Sequence, residues 1–261
     1  MTQGRALVTG AGHRLGRAMT LQLAARGIDV AIHYASAEAA ARETAAEARR
    51  HGVKAETLRA DLLIEADVES LVTRAASTLG GPLDLLVNNA SIFERDTLGS
   101  ITRQSWDRHM DSNLRAPVML TQAFASQAPD AARDAQGEPL ASALVVNMID
   151  QRVHKLTPDF MSYTLAKSAL WTFTRTAAQA LAPRIRVNAI GPSPTLRGPR
   201  QTEAQFARQR AATPLQRGAG SADIAAALCY LLDAKAVTGQ MICVDGGQHL
   251  AWQTPDVMGT E

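Results

Sequence analysis

Short, mainly apolar runs alternate with longer alanine-rich stretches along this 261-residue chain, and no other feature constrains its fold more. The runs are Ala6-Leu7-Val8, Val30-Ala31-Ile32 and residues 83–87, 143–149, 185–190 and 241–244. They are rich in β-branched residues and lack polar alternation, so they read as strands covered on both faces. Residues 14–26, 37–51, 65–79, 105–128, 163–182 and 222–232 repeat their apolar positions at helical spacing. Strand–helix alternation over the whole length predicts an α/β fold, a doubly wound parallel sheet with helices on both faces. No linker, repeat or composition break divides the chain, so residues 1–261 read as one domain. The polar residues 130–139 read as a surface loop.

Composition then removes whole classes of function. Lys and Arg number 27 against 25 Asp and Glu, a net charge of +2, which argues against nucleic acid or an anionic membrane as partner. Aromatic residues are only 4%, too few for a base-stacking surface. No run of eighteen apolar residues predicts a transmembrane helix, and no apolar signal-peptide core follows Met1. The two cysteines, Cys229 and Cys243, sit in apolar runs and read as buried hydrophobes. With no CxxC and no His/Cys cluster at ligand spacing, no metal site is expected, and a reducing, cytoplasmic setting fits.

The first run opens into Thr9-Gly10-Ala11-Gly12-His13-Arg14-Leu15-Gly16, and a helix follows. Glycines let backbone approach a pyrophosphate closely, and the helix offers it free N–H groups and a positive dipole end. Read alone, such a turn can also be a tight connection without a ligand. The end of the second strand, Ile32-His33-Tyr34-Ala35-Ser36-Ala37, carries no acid before Glu38. A carboxylate there suits the ribose hydroxyls of NAD, whereas Arg14 and Ser36 suit a 2′-phosphate. The expected cofactor is therefore NADPH. His33 and Tyr34 themselves read as strand-end packing.

Tyr163 and Lys167 stand four residues apart, which places both on one helix face. A phenol titrates near 10 in water, too high for efficient proton exchange at neutral pH. A neighbouring ammonium is expected to lower that value and let Tyr163 act as general acid.

These residues, with Asp61, Asn88-Asn89-Ala90, Asn113 and Gly191-Pro192 in the same order and spacing, resemble the short-chain dehydrogenase/reductase family over residues 5–247. The resemblance implies a single Rossmann-type domain with a sheet of about seven strands. Its implied cofactor residues are Gly10, Arg14, Leu15, Ser36, Asp61, Leu62, Asn89, Ala90, Tyr163, Lys167, Pro192 and Ser193. Asp61 and Leu62 would lie near the adenine, and Asn113 would hold a water in a proton relay with Lys167. Residues 192–218 correspond to the family's substrate lid. Family members are mostly tetramers or dimers, and a homotetramer is expected. In such tetramers a C-terminal tail, here residues 252–261, can reach a neighbour's active site, although a frayed terminus fits equally well.

Two departures from the family pattern carry information. Most members have glycine where this chain has Arg14, and a serine thirteen residues before the tyrosine where it has Asp150. Neither Ser142 nor Ser162 is placed to substitute. One reading is lost catalysis, leaving an NADP-binding sensor. The other is a different substrate: an ionised carboxylate accepts hydrogen bonds but cannot donate one, which suits an aminopyrimidine better than a ketone. Arg14, Asp150, Ser36 and Phe93 together resemble the pteridine reductase subgroup. That resemblance implies substrate contacts from Arg14, Ser91, Phe93, Asp150 and Tyr163, and catalysis by Asp150, Tyr163, Lys167 and Asn113. The expected activity is NADPH-dependent reduction of a C=N bond in a pteridine. A carbonyl or imine reductase of another small metabolite is the competing enzyme reading.

Overall fold

The computed structural model describes residues 4–198 and 201–254. Seven strands form one parallel sheet: β1 (Arg5–Val8), β2 (Asp29–Tyr34), β3 (Ala55–Arg59), β4 (Leu85–Asn88), β7 (Ala143–Met148), β8 (Ile185–Pro192) and β9 (Met241–Val244). Their order is β3-β2-β1-β4-β7-β8-β9, so the chain winds outward in one direction and then returns to β4 on the other side of β1. The switch between β1 and β4 opens a crevice at the strands' carboxyl ends, where α/β sheets bind ligands.

Two apolar layers bury the sheet. Helices α1 (Arg14–Ala25), α2 (Glu38–Arg49) and α8 (Ser221–Asp233) cover Val8, Ile32 and Val146 on one face. Helices α3 (Glu65–Leu79), α5 (Ala116–Gln127) and α6 (Met161–Leu181) cover Leu7, Leu86 and Val145 on the other. Adjacent residues of one strand thus enter opposite cores, which is why the strands read as continuous apolar runs.

The sequence reading misses one strand and simplifies two segments. β3, Ala-Glu-Thr-Leu-Arg, lies at the sheet edge, where Arg59 reaches solvent, so it has no continuous apolar run. The expected helix over residues 105–128 is two helices, α4 (Arg103–Met110) and α5, joined by a π turn at Asp111–Arg115. The expected loop at 130–139 folds partly into a hairpin of β5 (Ala132–Arg133) and β6 (Pro139–Leu140). A short helix, α7 (Glu203–Ala211), follows β8. Pro199, Arg200 and the tail residues 255–261 lie outside the described residues.

Candidate active site

A cleft of about 680 Å³ opens over β1, β2 and β4, lined by Gly10, Arg14, Leu15, Ser36, Asp61, Leu62, Asn89, Ala90 and Ser91 among others. The glycine turn is held from below. Thr9 Oγ1 accepts the amides of Asn89 and Ala90 at 2.9 Å each, and Asn89 Nδ2 donates to the carbonyls of Thr9 and Gly10 at 2.8 and 3.1 Å. A Cβ on Gly16 would sit 2.3 Å from Gly10 O, so only glycine lets α1 start this close to the turn. Arg14 adopts φ 56°, a left-handed conformation that explains why glycine is the common residue at this position.

His33, read from sequence as packing, is a working part of the turn. Gly10 N donates to His33 Nδ1 at 3.0 Å, which leaves Nε2 to donate to Ala60 O at 3.0 Å. Burial pushes its pKa down to about 4, so the ring is neutral.

The residues present fit a phosphorylated dinucleotide. The first turn of α1 contains no acid and His13 makes no side-chain cap, so the helix end faces the cleft as an anion site. Ser193 Oγ is buried without a hydrogen-bond partner where the resemblance places a cofactor contact. Arg59 also lines the cleft: its strand register sets it beside Tyr34, two residues before Ser36. It was missed because β3 was not among the apolar runs. At the end of β3, Asp61 accepts Leu63 N at 3.0 Å, and Leu62 is buried beside it. The guanidinium of Arg14 reaches across to the carbonyls of Leu196 and Arg197 at 3.2 and 3.1 Å, tying the segment after β8 to the glycine turn.

Beyond the cleft stands the reactive cluster. Asn88 and Asn147 face each other in register on β4 and β7, bonded at 2.8 Å, and Asn147 Nδ2 donates to Thr174 Oγ1 at 2.9 Å. This buried bridge fixes the strand ends relative to α6. Asp150, just past β7, accepts Arg152 N through Oδ1 at 2.8 Å and the Tyr163 hydroxyl through Oδ2 at 3.0 Å. Lys167 Nζ donates to Met148 O at 2.7 Å and lies 5.8 Å from the Tyr163 ring centroid.

The electrostatics correct one expectation. Tyr163 is raised above the ordinary phenol value, first by burial and then by the charge of Asp150, and Lys167 does not offset it. The Arg152 charge and then the Ser91 hydroxyl act the other way without reversing the shift. Asp150 is itself raised by burial, against its hydrogen bonds. Lys167 is lowered to about 8 by burial, with Asp150 opposing. The phenol is therefore a protonated donor resting on a carboxyl, rather than a group tuned by its lysine.

Asn113 braces the loop that follows β4. Its side chain closes two bonds on the backbone of Ile92, accepting the amide at 2.9 Å and donating to the carbonyl at 2.8 Å. Next along the chain, Phe93 is 46% exposed, stacks on Phe160 at 4.2 Å and meets Tyr163 edge-on at 4.7 Å. Arg152 covers Phe160 at 5.1 Å. Phe160 and Arg152 gave no sequence signal, since only the fold brings them to Phe93. Ser142 and Ser162 are engaged elsewhere, with the Ala132 amide and the Asp96 carboxylate.

A profile of the enoyl-(acyl carrier protein) reductase family matches residues 10–249. The chain belongs to the short-chain dehydrogenase/reductase family. Within that family it is 31% identical over 250 residues to the 3-oxoacyl-[acyl-carrier-protein] reductase FabG of Staphylococcus aureus, covering 94% of this chain and 98% of the relative. The crystal structure of FolM alternative dihydrofolate reductase 1 from Brucella suis, in complex with NADP, is 46% identical, with a TM-score of 0.89 over 97% of this chain and 98% of that one. The Brucella canis counterpart, also with NADP, is 44% identical with a TM-score of 0.88 over 98% of both chains. As a short-chain dehydrogenase/reductase with NADP-bound neighbours, the protein is an NADP-dependent oxidoreductase, and NADPH is its cofactor.

Proposed function

We propose that the protein reduces a C=N bond of a dihydropteridine, such as a dihydropterin or dihydrofolate, to the tetrahydro form. The observation that carries this reading is the Tyr163 hydroxyl donating to Asp150 Oδ2 at 3.0 Å, beside an exposed phenylalanine. A ketone site needs a donor at position 150, and this chain offers a carboxyl. The likeness to the FolM structures supports the same reading.

NADPH, when bound, supplies the hydride. Arg14, Ser36 and Arg59 would hold its 2′-phosphate side, Gly10 and Leu15 the pyrophosphate, and Asp61 and Leu62 the adenine. Asn89, Ala90, Pro192 and Ser193 would line the remainder, with Lys167 at the nicotinamide ribose. At the substrate, Phe93 offers a stacking face and Asp150 accepts ring N–H groups, while Arg14 and Ser91 border the ring. As the ring carbon is reduced, its nitrogen takes the proton from Tyr163 Oη. Asp150, which accepts the Tyr163 hydroxyl, orients that donor, and a proton from water restores the phenol. Asn113 holds the Phe93 loop. The segment 192–218 acts as a substrate lid, and Arg14 tethers it through Leu196 and Arg197. A homotetramer in the cytoplasm fits the exposed Trp106, Leu165 and Tyr230 and the two free cysteines.

The FabG relative supports a second reading, a carbonyl reductase. A screen of dihydropterins, dihydrofolate and simple ketones, each with NADPH and with NADH, separates the two. Dihydropteridines should be turned over fastest with NADPH. No NADPH oxidation above background with any of them, or a ketone that outpaces them all, overturns the pteridine reading.

A further inference from the structure

His109 and Asn113 lie one helical turn apart, on the last turn of α4 and in the π turn that follows. Between them they grip the loop that carries Phe93 on both sides. Asn113 closes on the backbone of Ile92, the residue before Phe93. His109 Nε2 accepts the amide of Glu94, the residue after it, at 3.2 Å.

That contact fixes the imidazole. With Nε2 as acceptor in a neutral ring, Nδ1 carries the hydrogen and donates to Ser162 Oγ, 2.6 Å away. Ser162 Oγ in turn donates to Asp96 Oδ2, and Ser162 N donates to Asp96 Oδ1 at 3.2 Å. Asp96 O accepts the amide of Phe160 at 2.8 Å, where the chain takes a left-handed conformation with φ 58°. His109, Ser162 and Asp96 are all buried, so each bond forms out of competition with water. The bonds lead from the Phe93 loop at Glu94 through His109 of α4 to Ser162 in the first turn of α6, and return to the loop at Asp96. That turn carries both Phe160, stacked on Phe93, and Tyr163.

We propose that His109 is a positioning residue that holds the Phe93 face in register with Tyr163, and thereby sets how tightly a planar substrate is bound. The inference rests on the pteridine reading for its substrate class, but not for its geometry. Nothing in the chemistry of hydride or proton transfer needs an imidazole here. Its loss therefore acts on substrate binding.

Two substitutions divide the two bonds. His109→Gln can keep an acceptor where Nε2 stands, and so keep the bond from Glu94. His109→Asn can keep a donor where Nδ1 stands, holding Ser162 but releasing Glu94. His109→Asn should raise KM for the substrate roughly tenfold, the worth of one buried hydrogen bond, with kcat and NADPH affinity changed little. His109→Gln should recover most of that loss. Amide hydrogen exchange at Glu94 should be slow in the wild type and in His109→Gln, and fast in His109→Asn. Should His109→Asn fail to fold, Ser162→Ala, which frees the imidazole, should shift KM and Glu94 exchange in the same direction. Unchanged KM with fast exchange, unchanged exchange with raised KM, or a loss confined to kcat each overturns the proposal. KM is read with whichever substrate the wild type reduces in the screen above. Failure of all dihydropteridines there defeats the pteridine reading, whereas the ratio of variant to wild type and the Glu94 exchange decide this one.

Discussion

Asp150 occupies the position where a serine hydroxyl would offer a proton to a carbonyl, and it reverses the polarity of that offer. Its carboxyl and the Tyr163 hydroxyl share one proton-bearing contact at 3.0 Å. Asp150 raises Tyr163 and also supports the charge on Lys167. Asp150→Asn should therefore lower both groups, taking Lys167 below about 8. Turnover should fall by about 10²–10⁴-fold, as for loss of a positioned proton-transfer group, while NADPH binding persists at neutral pH. A pH profile checks this: the high-pH limb of activity should move to lower pH in the variant, and an unmoved limb counts against the coupling. The identities of Tyr163, Lys167 and Asp150 were legible because their spacing is local or tied to a strand end. The direction of the Tyr163 shift was not legible. It depends on burial and on the Asp150 carboxylate 3.0 Å from the hydroxyl, and both are products of tertiary packing.

At the scale of elements, periodicity identified six strands because each carries a short apolar run rich in β-branched residues. It missed β3, whose edge position leaves Glu56, Thr57 and Arg59 incompletely covered. The miss removed a candidate contact from view, because register with β2 carries Arg59 to the rim of the cleft. Arg59→Glu should weaken NADPH binding relative to NADH by roughly tenfold or more, the worth of a charge-assisted hydrogen bond. Titration with 2′,5′-ADP against 5′-AMP reads the 2′-phosphate directly, and an unchanged ratio removes Arg59 from that subsite. The π turn at Asp111–Arg115 was equally hidden, since the sequence through it keeps a helical pattern. Such turns are insertions in an otherwise regular helix and often mark functional positions. Here the turn carries the Asn113 side chain to Ile92.

For the molecule as a whole, the near-balanced charge leaves pH dependence to a few buried groups. His33 has a folded pKa of about 4 against an ordinary 6.5. The folded chain keeps the ring neutral while the unfolded chain protonates it, so its contribution is full above about 6.5 and is lost as pH falls toward 4. The swing is about 3 kcal/mol, a large share of a typical domain's stability. Asp84, which accepts the Arg5 amide at 3.1 Å, runs the other way. Burial raises it to about 6 from 3.8, so its penalty is full above about 6 and is relieved as pH falls through that window. The two partly cancel between pH 6 and 4, and the wild-type acid limb should be shallow there. His33→Gln should remove the loss and leave stability flat or rising as pH falls. Asp84→Asn should expose the loss and steepen it. Urea denaturation at intervals from pH 8 to 4 tests both variants against the wild type. Parallel curves for all three would show that neither group governs the acid response.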